Sequence, residues 1–301
     1  MKNTLHNKLN DSIAYLPSGK YAIAVSGGSD SLALLYLCAK FSKDNFIVVH
    51  FDHDVREESS SEADFVEQTA KSLGLHCVRY LWTPEDKGKY SGNFYQSARV
   101  ARYKFFKRVV NQYNLNGVLV AHSKTDLAET LLMRLGKGCS LKGASIFEQG
   151  ISIFGVKVFR PLLDFSRKDL QDYLTEKNIV WKVDPSNEDI TKMRPRIRSL
   201  LPHLESIGLN LAGFTKATKY FNQANKALDY YTKKELNLLE FNSLGYYKTT
   251  SEDFFCKPLE IQVRILNYII EKNNKDFSHL PRRKKIIELL DRLHNKTTFV
   301  E

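Results

Sequence analysis

The chain has 301 residues, 43% of them hydrophobic and 26% charged, and this balance excludes a disordered chain, a collagen-like repeat and a membrane protein. The length suits one large domain and one smaller one, because single cores stop growing near about 250–300 residues. The formal net charge of +11, from 45 Lys and Arg against 34 Asp and Glu, suggests a polyanionic partner such as a nucleic acid.

Two further features concern location and redox state. No run of the sequence reaches the roughly 18–20 apolar residues of a membrane span, and the segment 1–16 has no apolar signal-peptide core. We therefore expect a cytoplasmic protein with no membrane association. The four cysteines are scattered, without a C-x-x-C pair or metal-ligand spacing, so we expect neither a disulfide framework nor a zinc site.

Strands and helices alternate through the first half of the chain. In chain order we predict strand 21–25, helix 31–41, strand 46–51, helix 60–73, strand 76–81, helix 98–113, strand 117–121 and helix 125–135. Such alternation is typical of an α/β fold with a parallel sheet, right-handed crossovers and helices on both faces.

The pattern changes after Leu141. Segments 151–154 and 157–159 flank Gly155 like a hairpin, and 167–177 returns to a helical period, so we predict an appendage that closes over the sheet edge. Beyond Pro202 no strand–helix alternation remains. The helical segments there lie near 211–239, 258–271 and 282–293.

This change predicts two domains, a catalytic domain over residues 1–205 and a small helical domain over residues 206–301. The boundary is placed near residue 205, where the alternating pattern gives way to helices alone.

A small-residue turn between the first strand and the first helix carries the strongest chemical signal. Glycines let backbone N–H groups close around phosphate oxygens, the helix N-terminus adds partial positive charge, and serine hydroxyls donate further bonds. The alternative is a turn that serves close packing only. Neither the Walker pattern nor G-x-G-x-x-G is present. The residues of this predicted phosphate cradle are Ser26, Gly27, Gly28, Ser29, Asp30 and Ser31.

This S-G-G-S-D-S segment resembles the S-G-G-x-D-S signature of the PP-loop ATP pyrophosphatases, which cleave ATP to AMP and pyrophosphate. The resemblance implies a Rossmann-like sheet of the adenine nucleotide alpha hydrolase type, with ATP bound at residues 26–31. GMP synthetases, NAD synthetases, argininosuccinate synthetases and tRNA thiolases share the loop, so other segments must select the substrate.

The first such segment ends the second strand. His50-Phe51-Asp52-His53 is similar to the V-D-H segment of the lysidine synthetases, a PP-loop subfamily, and stands where open α/β sheets bind ligands. We assign Asp52 and His53 to the nucleotide site. A role in capping the strand is the alternative.

A helix with two arginines follows. Arg99 and Arg102 stand at i and i+3, on one helix face, where guanidinium groups meet phosphates. Solvated arginines are the alternative. The segment QSARVARYKFF resembles the A-R-x-x-R-Y-x-F-F block of the lysidine synthetases, which implies that Arg102 faces the nucleotide.

Two carboxylates, Asp126 and Glu129, lie one helical turn apart after the fourth strand and form a compact negative patch. Such a patch holds an ammonium group or Mg²⁺, and pairing with a helix lysine is the alternative. The block resembles A-H-x-x-D-D-x-A-E-T-x-L-M-R-L of the lysidine synthetases, beginning here at Ala121-His122. Thr125 replaces the first aspartate of the family's pair.

The last block spans residues 160–202. The segments RPLL at 160–163, W-x-x-D-P-S-N at 181–187 and the arginines from Arg194 to Arg198 resemble a run of the lysidine synthetases, and Arg194 carries over as an adenylate or RNA contact. Pro195 stands where the family commonly has asparagine. A solvated basic strip is the alternative.

Together these blocks imply a ligase that adenylates the wobble cytidine of the CAU-anticodon isoleucine tRNA and joins free L-lysine to its carbon 2. ATP and Mg²⁺ are the implied cofactors. Asp30, Asp126 and Glu129 would position lysine, with Arg102 and Arg194 near the α-phosphate. The helical domain would contact tRNA, and the chain is expected to lack the further domain of longer members.

The alternatives are a tRNA 2-thiolase, which commonly uses C-x-x-C pairs or a cluster, a GMP or NAD synthetase, and a non-catalytic ATP-binding or RNA-binding module. The sequence leaves the oligomeric state and the metal ligands open, and a homodimer is one state to test.

Overall fold

A computed structural model describes residues 2–53, 59–83, 87, 94–183, 189–241, 247–273 and 281–297. The strands are β1 (Tyr21–Ala24), β2 (Phe46–Asp52), β3 (Cys77–Leu81), β4 (Val118–Leu119), β5 (Ile151–Ile153), β6 (Val156–Phe159), β7 (Glu240–Phe241) and β8 (Tyr247–Lys248). The helices of the first 206 residues are α1 (Lys2–Ala14), α2 (Ser29–Phe41), α3 (Ser59–Ser72), α4 (Phe94–Gln112), α5 (Lys124–Leu135), α6 (Leu141–Ala144), α7 (Arg167–Glu176) and α8 (Met193–Ser206). The later helices are α9 (Leu211–Leu238), α10 (Ser251–Phe255), α11 (Leu259–Asn273) and α12 (Arg283–Thr297).

Six strands form the main sheet in the order β3-β2-β1-β4-β6-β5. The first five of these pair in parallel, and β5 is antiparallel to β6 at the outer edge. This architecture confirms the predicted α/β fold class. The predicted hairpin forms, but it does not close over the sheet edge: because β6 pairs with β4, the hairpin extends the sheet by two strands.

Apolar clusters cover both faces of this sheet. On one face α2 packs with helices α1, α3 and α7, and Leu32, Leu34 and Leu35 are fully buried. On the other face α4 contributes Phe105 and Phe106 to a separate cluster. Each fully buried leucine contributes roughly 2 kcal/mol through removal of apolar area from water. Among the described helices, four were not predicted: α1, α6, α8 and α10.

The chain divides into two compact units, residues 1–219 and 220–301, and the division falls inside α9. It therefore comes later than the change of sequence pattern near residue 205, because α9, which begins at Leu211, is shared between the two units. The split into a catalytic domain and a tRNA-contacting domain stays a prediction.

The second unit has its own core and a polar network. Leu236, Phe254 and Ile265 are among its buried apolar residues. Arg264, which is 7% exposed, donates to Asn225 Oδ1 over 2.8 Å and to Glu260 Oε1 over 2.8 Å, and also pairs with Asp229. This guanidinium connects α9 to α11 and so fixes how the two helices pack. Its hydrogen bonds and ion pairs also offset the free-energy cost of burying its charge.

Within the described residues, no helix is long and apolar enough to cross a lipid bilayer. All four cysteines are free thiols, and they range from the buried Cys38 to the exposed Cys256. Burial raises the pKa of the Cys38 thiol, and it raises that of Cys77 to about 11, so both stay protonated at neutral pH.

Candidate active site

The site lies where the chain changes direction along the sheet. From β1 the chain proceeds through β2 to β3 on one side, and later through β4 to β6 on the other. In open α/β sheets ligands bind at such a switch point, beyond the carboxyl ends of the strands. The segments that follow β1, β2 and β4 carry the predicted loop, Asp52 with His53, and Asp126 with Glu129.

The glycine loop closes on itself through a serine. Ser31 Oγ donates to Gly28 O over 2.9 Å and accepts from the backbone N of Ser26 over 3.2 Å. Gly28 is the N-cap of α2 and has no side-chain cap, so the first-turn N–H groups of α2 have no capping acceptor from that residue. Such a helix start, with its partial positive charge, suits phosphate oxygens.

Gly27 is held from outside the loop. Its φ of +89° is a conformation that only glycine adopts without strain. The backbone N of Lys182 donates to Gly27 O over 3.0 Å, while Lys182 Nζ lies 5.6 Å from the Phe65 ring. The segment before residue 184 therefore fixes the bend of the loop.

Asp30, at the start of α2, is the acidic residue of the loop. Its Oδ2 lies 3.3 Å from Arg167 Nε, and Ser29 Oγ donates to Oδ1 over 3.0 Å. Burial raises the pKa of Asp30 to about 6, Arg167 opposes that rise, and the charge of Asp126 adds to it. Asp30 of the glycine loop and Asp126 of α5 therefore lie within electrostatic range of each other.

Asp126 has a structural task as well. Its Oδ2 accepts from Ser123 N over 2.8 Å and from Ser123 Oγ over 2.9 Å, and Ser123 Oγ accepts in turn from Asp126 N. This capping box fixes the start of α5 and the orientation of the carboxylate.

Glu129 is fully buried, and it does not pair with a helix lysine. Its Oε1 accepts from Arg198 Nε over 2.6 Å, across the α5–α8 contact. Its Oε2 is buried without a hydrogen-bond partner in the described part of the chain. A buried carboxylate oxygen without a donor is costly, so this atom is suited to a cationic ligand.

Both departures from the family pattern have a structural account. Thr125 Oγ1 accepts from Arg167 N over 3.1 Å, so the threonine anchors the start of α7, whose Arg167 side chain pairs with Asp30. Pro195 occupies the first turn of α8, where backbone N–H groups have no intrahelical partner, and the helix is unbroken.

The two arginines of α4 differ in environment. Arg99 is exposed, whereas Arg102 Nε is buried and lacks a hydrogen-bond partner among the residues the structure covers. Burial lowers the pKa of Arg102 from its usual value. Arg102 therefore has the unpaired inward donor that a phosphate contact needs.

Asp52 ends β2, which pairs with β1, and His53 follows the strand. Asp52 is buried, and His53 Nδ1 is buried with no hydrogen-bond partner within the described ranges. Burial lowers the pKa of His53 to about 4, with a further contribution from Arg102, so the ring is neutral at physiological pH. Neutral His53 thus lies near Arg102.

Arg194 begins α8 and is exposed, and its guanidinium donates to Thr130 Oγ1 over 3.4 Å. Arg196 is exposed, in keeping with a solvated side chain, whereas Arg198 is engaged with Glu129. The predicted segment 184–187 lies outside the described residues.

His122, which follows β4, joins these groups. Burial lowers its pKa to about 3, with Arg160, Arg194 and Arg102 lowering it further and Asp126 opposing. The predicted residues of α4, α5 and α8 are therefore close enough to act on one ring.

A family model for the PP-loop domain matches residues 1–204. The tRNA(Ile)-lysidine synthase of Wolbachia pipientis wMel is 34% identical to this chain, over 98% of the chain and 68% of the relative. That of Ruegeria pomeroyi is 33% identical, over 97% of the chain and 70% of the relative. The chain belongs to the tRNA(Ile)-lysidine synthase family. This membership confirms the predicted family.

The share of each lysidine synthase relative that this chain covers varies. It covers 54% of the Anaplasma marginale relative, to which it is 33% identical over 83% of the chain. A solved structure, the U34-tRNA thiolase NcsA from Methanococcus maripaludis, superposes with a TM-score of 0.63 at 16% identity, covering 73% of this chain and 78% of the thiolase. At that identity the likeness concerns the fold alone.

Four residues of this lysidine synthase family site were not assigned roles from the sequence. They are His122, Arg160, Arg167 and Arg198. All four stand in sequence blocks that resemble the family. Their partners lie in other blocks, and no local pattern indicated the pairing.

Proposed function

We propose that this chain ligates L-lysine, through its side-chain amine, to carbon 2 of the wobble cytidine in the CAU-anticodon isoleucine tRNA. The cytidine O2 attacks the α-phosphorus of ATP and pyrophosphate leaves. The lysine amine then attacks carbon 2, the bond from carbon 2 to oxygen breaks, and AMP leaves. The modified anticodon reads AUA instead of AUG.

The observation that carries this proposal is the group of acidic side chains beside the glycine loop. Asp30 and Asp126 interact electrostatically, and Glu129 Oε2 is buried with no donor among the residues that the structure describes. An ammonium group supplies N–H donors and positive charge, which offset the cost of burying these carboxylates. Lysine is a substrate of this kind, and its amines would be oriented by Asp30, Asp126 and Glu129.

The nucleotide end is built from donors. The uncapped start of α2 would hold phosphate oxygens of ATP, with Ser26, Ser29 and Ser31 as further donors and Asp52 and His53 beside them. Arg102 and Arg194 would face the α-phosphate, where negative charge develops during adenylation.

Mg²⁺ fits this donor set. It is usually held by one or two carboxylates together with substrate phosphates, and Asp30 is a carboxylate at the phosphate-binding turn. When bound, the ion supplies charge neutralisation at the phosphates. No group of three or more His, Cys, Asp or Glu side chains suited to a metal ion occurs among the described residues.

The tRNA would be bound by basic surface from both units, with residues 206–301 as the tRNA-contacting domain. The net charge of +11 supports a polyanionic partner. A cytoplasmic location and, as one state to test, a homodimer complete this proposal.

The test is to incubate the protein with radiolabelled lysine, ATP, Mg²⁺ and a panel of tRNAs. Label should enter the CAU isoleucine tRNA and be absent from the same tRNA with uridine at the wobble position. A methionine tRNA, which also has a CAU anticodon, is the matched control, because it tests whether the protein recognises tRNA features outside the anticodon. Absence of label from every tRNA would overturn the narrow proposal.

The same reagents distinguish the proposed ligase from two alternative functions. A 2-thiolase would require a sulfur donor and would proceed without lysine. A non-catalytic ATP-binding or RNA-binding module would give no exchange between ATP and pyrophosphate in the presence of the isoleucine tRNA, whereas an adenylating enzyme gives tRNA-dependent exchange.

A further inference from the structure

His122 stands at the switch point of the sheet with no assigned role. The residue is half-buried. The charged groups that act on the ring are Asp126, Arg160, Arg194 and Arg102. Two of these arginines, Arg102 and Arg194, are the proposed α-phosphate contacts, so the ring lies within electrostatic range of the proposed adenylate site.

A contact from Arg160 fixes the protonation pattern of the ring. Arg160 Nε donates to His122 Nδ1 over 3.3 Å. A guanidinium donates and never accepts, so Nδ1 must present its lone pair. A neutral imidazole that accepts at Nδ1 carries its proton on Nε2.

Arg160 is itself held rigidly. It is 3% exposed, and its Nη1 donates to Glu148 O over 2.8 Å. Its backbone N and O both bond the side-chain amide of Gln149, at 2.6 and 2.7 Å. The backbone of Arg160 is thus fixed by Gln149, and its guanidinium cannot turn away from His122 without also breaking the bond to Glu148 O.

Phe147 completes the arrangement. Its ring stacks on His122 with 4.7 Å between centroids and 16° between planes, and the Arg160 guanidinium carbon lies 5.2 Å from the same ring. The backbone φ of Phe147 is +53°, a region uncommon for a bulky residue. Strained backbone of this kind persists where surrounding structure enforces it, and it clusters at functional sites.

We propose that Arg160 is a positioning residue that locks His122 in the Nε2–H tautomer, so that His122 donates a neutral hydrogen bond to an anionic oxygen of the substrate. The identity of that oxygen, a phosphate oxygen of the adenylate, rests on the proposed function. Because burial lowers the pKa of His122 to about 3, the ring is not protonated at neutral pH. It therefore serves as a fixed donor and not as an acid–base group.

The tautomer is measured directly, without catalysis. In the full chain with ¹⁵N-labelled histidine, long-range proton–nitrogen correlation spectra at about pH 7 separate the two tautomers and the cation. Loss of one of the eight histidine signal sets in His122→Gln assigns the ring. We expect Nε2–H for His122 in the wild type and in Arg160→Lys, since lysine also only donates, and a mixture of tautomers in Arg160→Met.

Two results would overturn the tautomer assignment: a proton on Nδ1 in the wild type, or an unchanged tautomer in a folded Arg160→Met variant. Circular dichroism spectra establish that each variant is folded. If Arg160→Met unfolds, Arg160→Lys and the wild-type spectrum still decide the assignment.

The donor role is tested by two amide variants of one ring. Glutamine places an N–H near the position of Nε2, and asparagine places its amide near Nδ1. We expect kcat for ligation to be roughly tenfold higher in His122→Gln than in His122→Asn. Equal rates would overturn the donor role. Absence of ligation by the wild type would overturn the proposed function and leave the tautomer result standing.

Discussion

Arg198 Nε lies 2.6 Å from Glu129 Oε1, so a fully buried carboxylate of α5 is paired with an arginine of α8 that lies 69 positions later in the chain. The pair leaves the second carboxylate oxygen buried and without a hydrogen bond within the described residues. One half of Glu129 is thus used for structure, and the other half is available to a ligand.

From this pair we expect Glu129→Gln to raise KM for lysine by roughly tenfold or more, since a charged hydrogen bond contributes about 1.5–3 kcal/mol. Glutamine keeps the shape and the acceptor facing Arg198 but loses the charge. Steady-state lysine titrations with saturating ATP and tRNA measure this. An unchanged lysine KM would remove Glu129 from the substrate site.

The same pair predicts a separation of stability from activity. Arg198→Met leaves Glu129 buried without its cation, and breaking such a pair costs about 3–5 kcal/mol, somewhat less here because Arg198 is partly exposed. Replacing both partners by methionine should recover much of this stability and none of the ligation. Thermal unfolding with the labelling assay measures both, and a double variant that still ligates would contradict the role of Glu129.

Asp126 can be separated from its capping role because α7 contains the same capping box. Ser166 and Asp169 bond each other there as Ser123 and Asp126 do at α5. We expect Asp126→Asn and Asp169→Asn each to cost about 1 kcal/mol of stability. Only Asp126→Asn should also abolish ligation, as measured by labelled lysine in tRNA at a temperature where both variants are folded.

Equal loss of ligation in these two variants would mean that Asp126 acts through the helix start alone.

The low-pH limb of the profile of kcat/KM against pH should reflect the ionisation of Asp30. The pKa of this carboxyl is about 6, and the ionised form is needed to hold an ammonium group or Mg²⁺. We expect kcat/KM for lysine to fall as pH drops through about 6. Arg167→Met should shift this limb to higher pH, because the Arg167 charge lowers the pKa. A limb that does not move would exclude Asp30 as its source.

Asp30 also links pH to folding in a direction that can be measured. Its pKa rises from 3.8 to about 6 on folding, so its contribution to stability is fully present below pH 3.8 and is lost as pH rises through about 6. At neutral pH the ionised carboxylate therefore destabilises the fold. We expect Asp30→Asn to raise the Tm at pH 7 while abolishing ligation; a lower Tm would contradict this.

The two loop glycines should respond differently to alanine. Gly27→Ala places a Cβ on a residue with φ of +89° and should lower stability by about 1 kcal/mol or more. Gly28 has φ of −76°, and its nearest neighbour to an added Cβ is Ser26 Oγ at 3.8 Å, so Gly28→Ala should fold normally.

Gly28→Ala should nevertheless raise KM for ATP, because its methyl group stands at the uncapped start of α2. Thermal melts and ATP titrations of both variants measure this, and an unchanged ATP KM in Gly28→Ala would place the phosphates elsewhere.

Much of the first unit was predictable because its signals are local. The strand before Ser26 and the helix after it follow from an apolar run, a glycine turn and a buried helical period, and β1 and α2 lie within two residues of the prediction. Helix α1 was missed because the polar segment contributes only a narrow apolar face, with Leu9 and Ile13 buried. Helix α8 was treated as a row of arginines.

The contacts that shape the site could not be predicted in the same way. Arg160 and His122 are 38 positions apart, and Glu129 and Arg198 are 69 apart. Periodicity describes only near neighbours, so such pairings appear only once the sheet order brings the strands together. The sequence indicated which side chains carry charge. The tertiary structure determined which of them keep a hydrogen-bonding atom available to a ligand.

The bond from Lys182 N to Gly27 O has a consequence for how mutations near residue 182 act. The anchoring group is main chain, so almost any amino acid could stand at this position without disturbing the turn. Proline is the exception, because it has no backbone N–H to donate to Gly27 O. The control over the turn at this position therefore lies in the backbone, and side-chain scanning by alanine would overlook it.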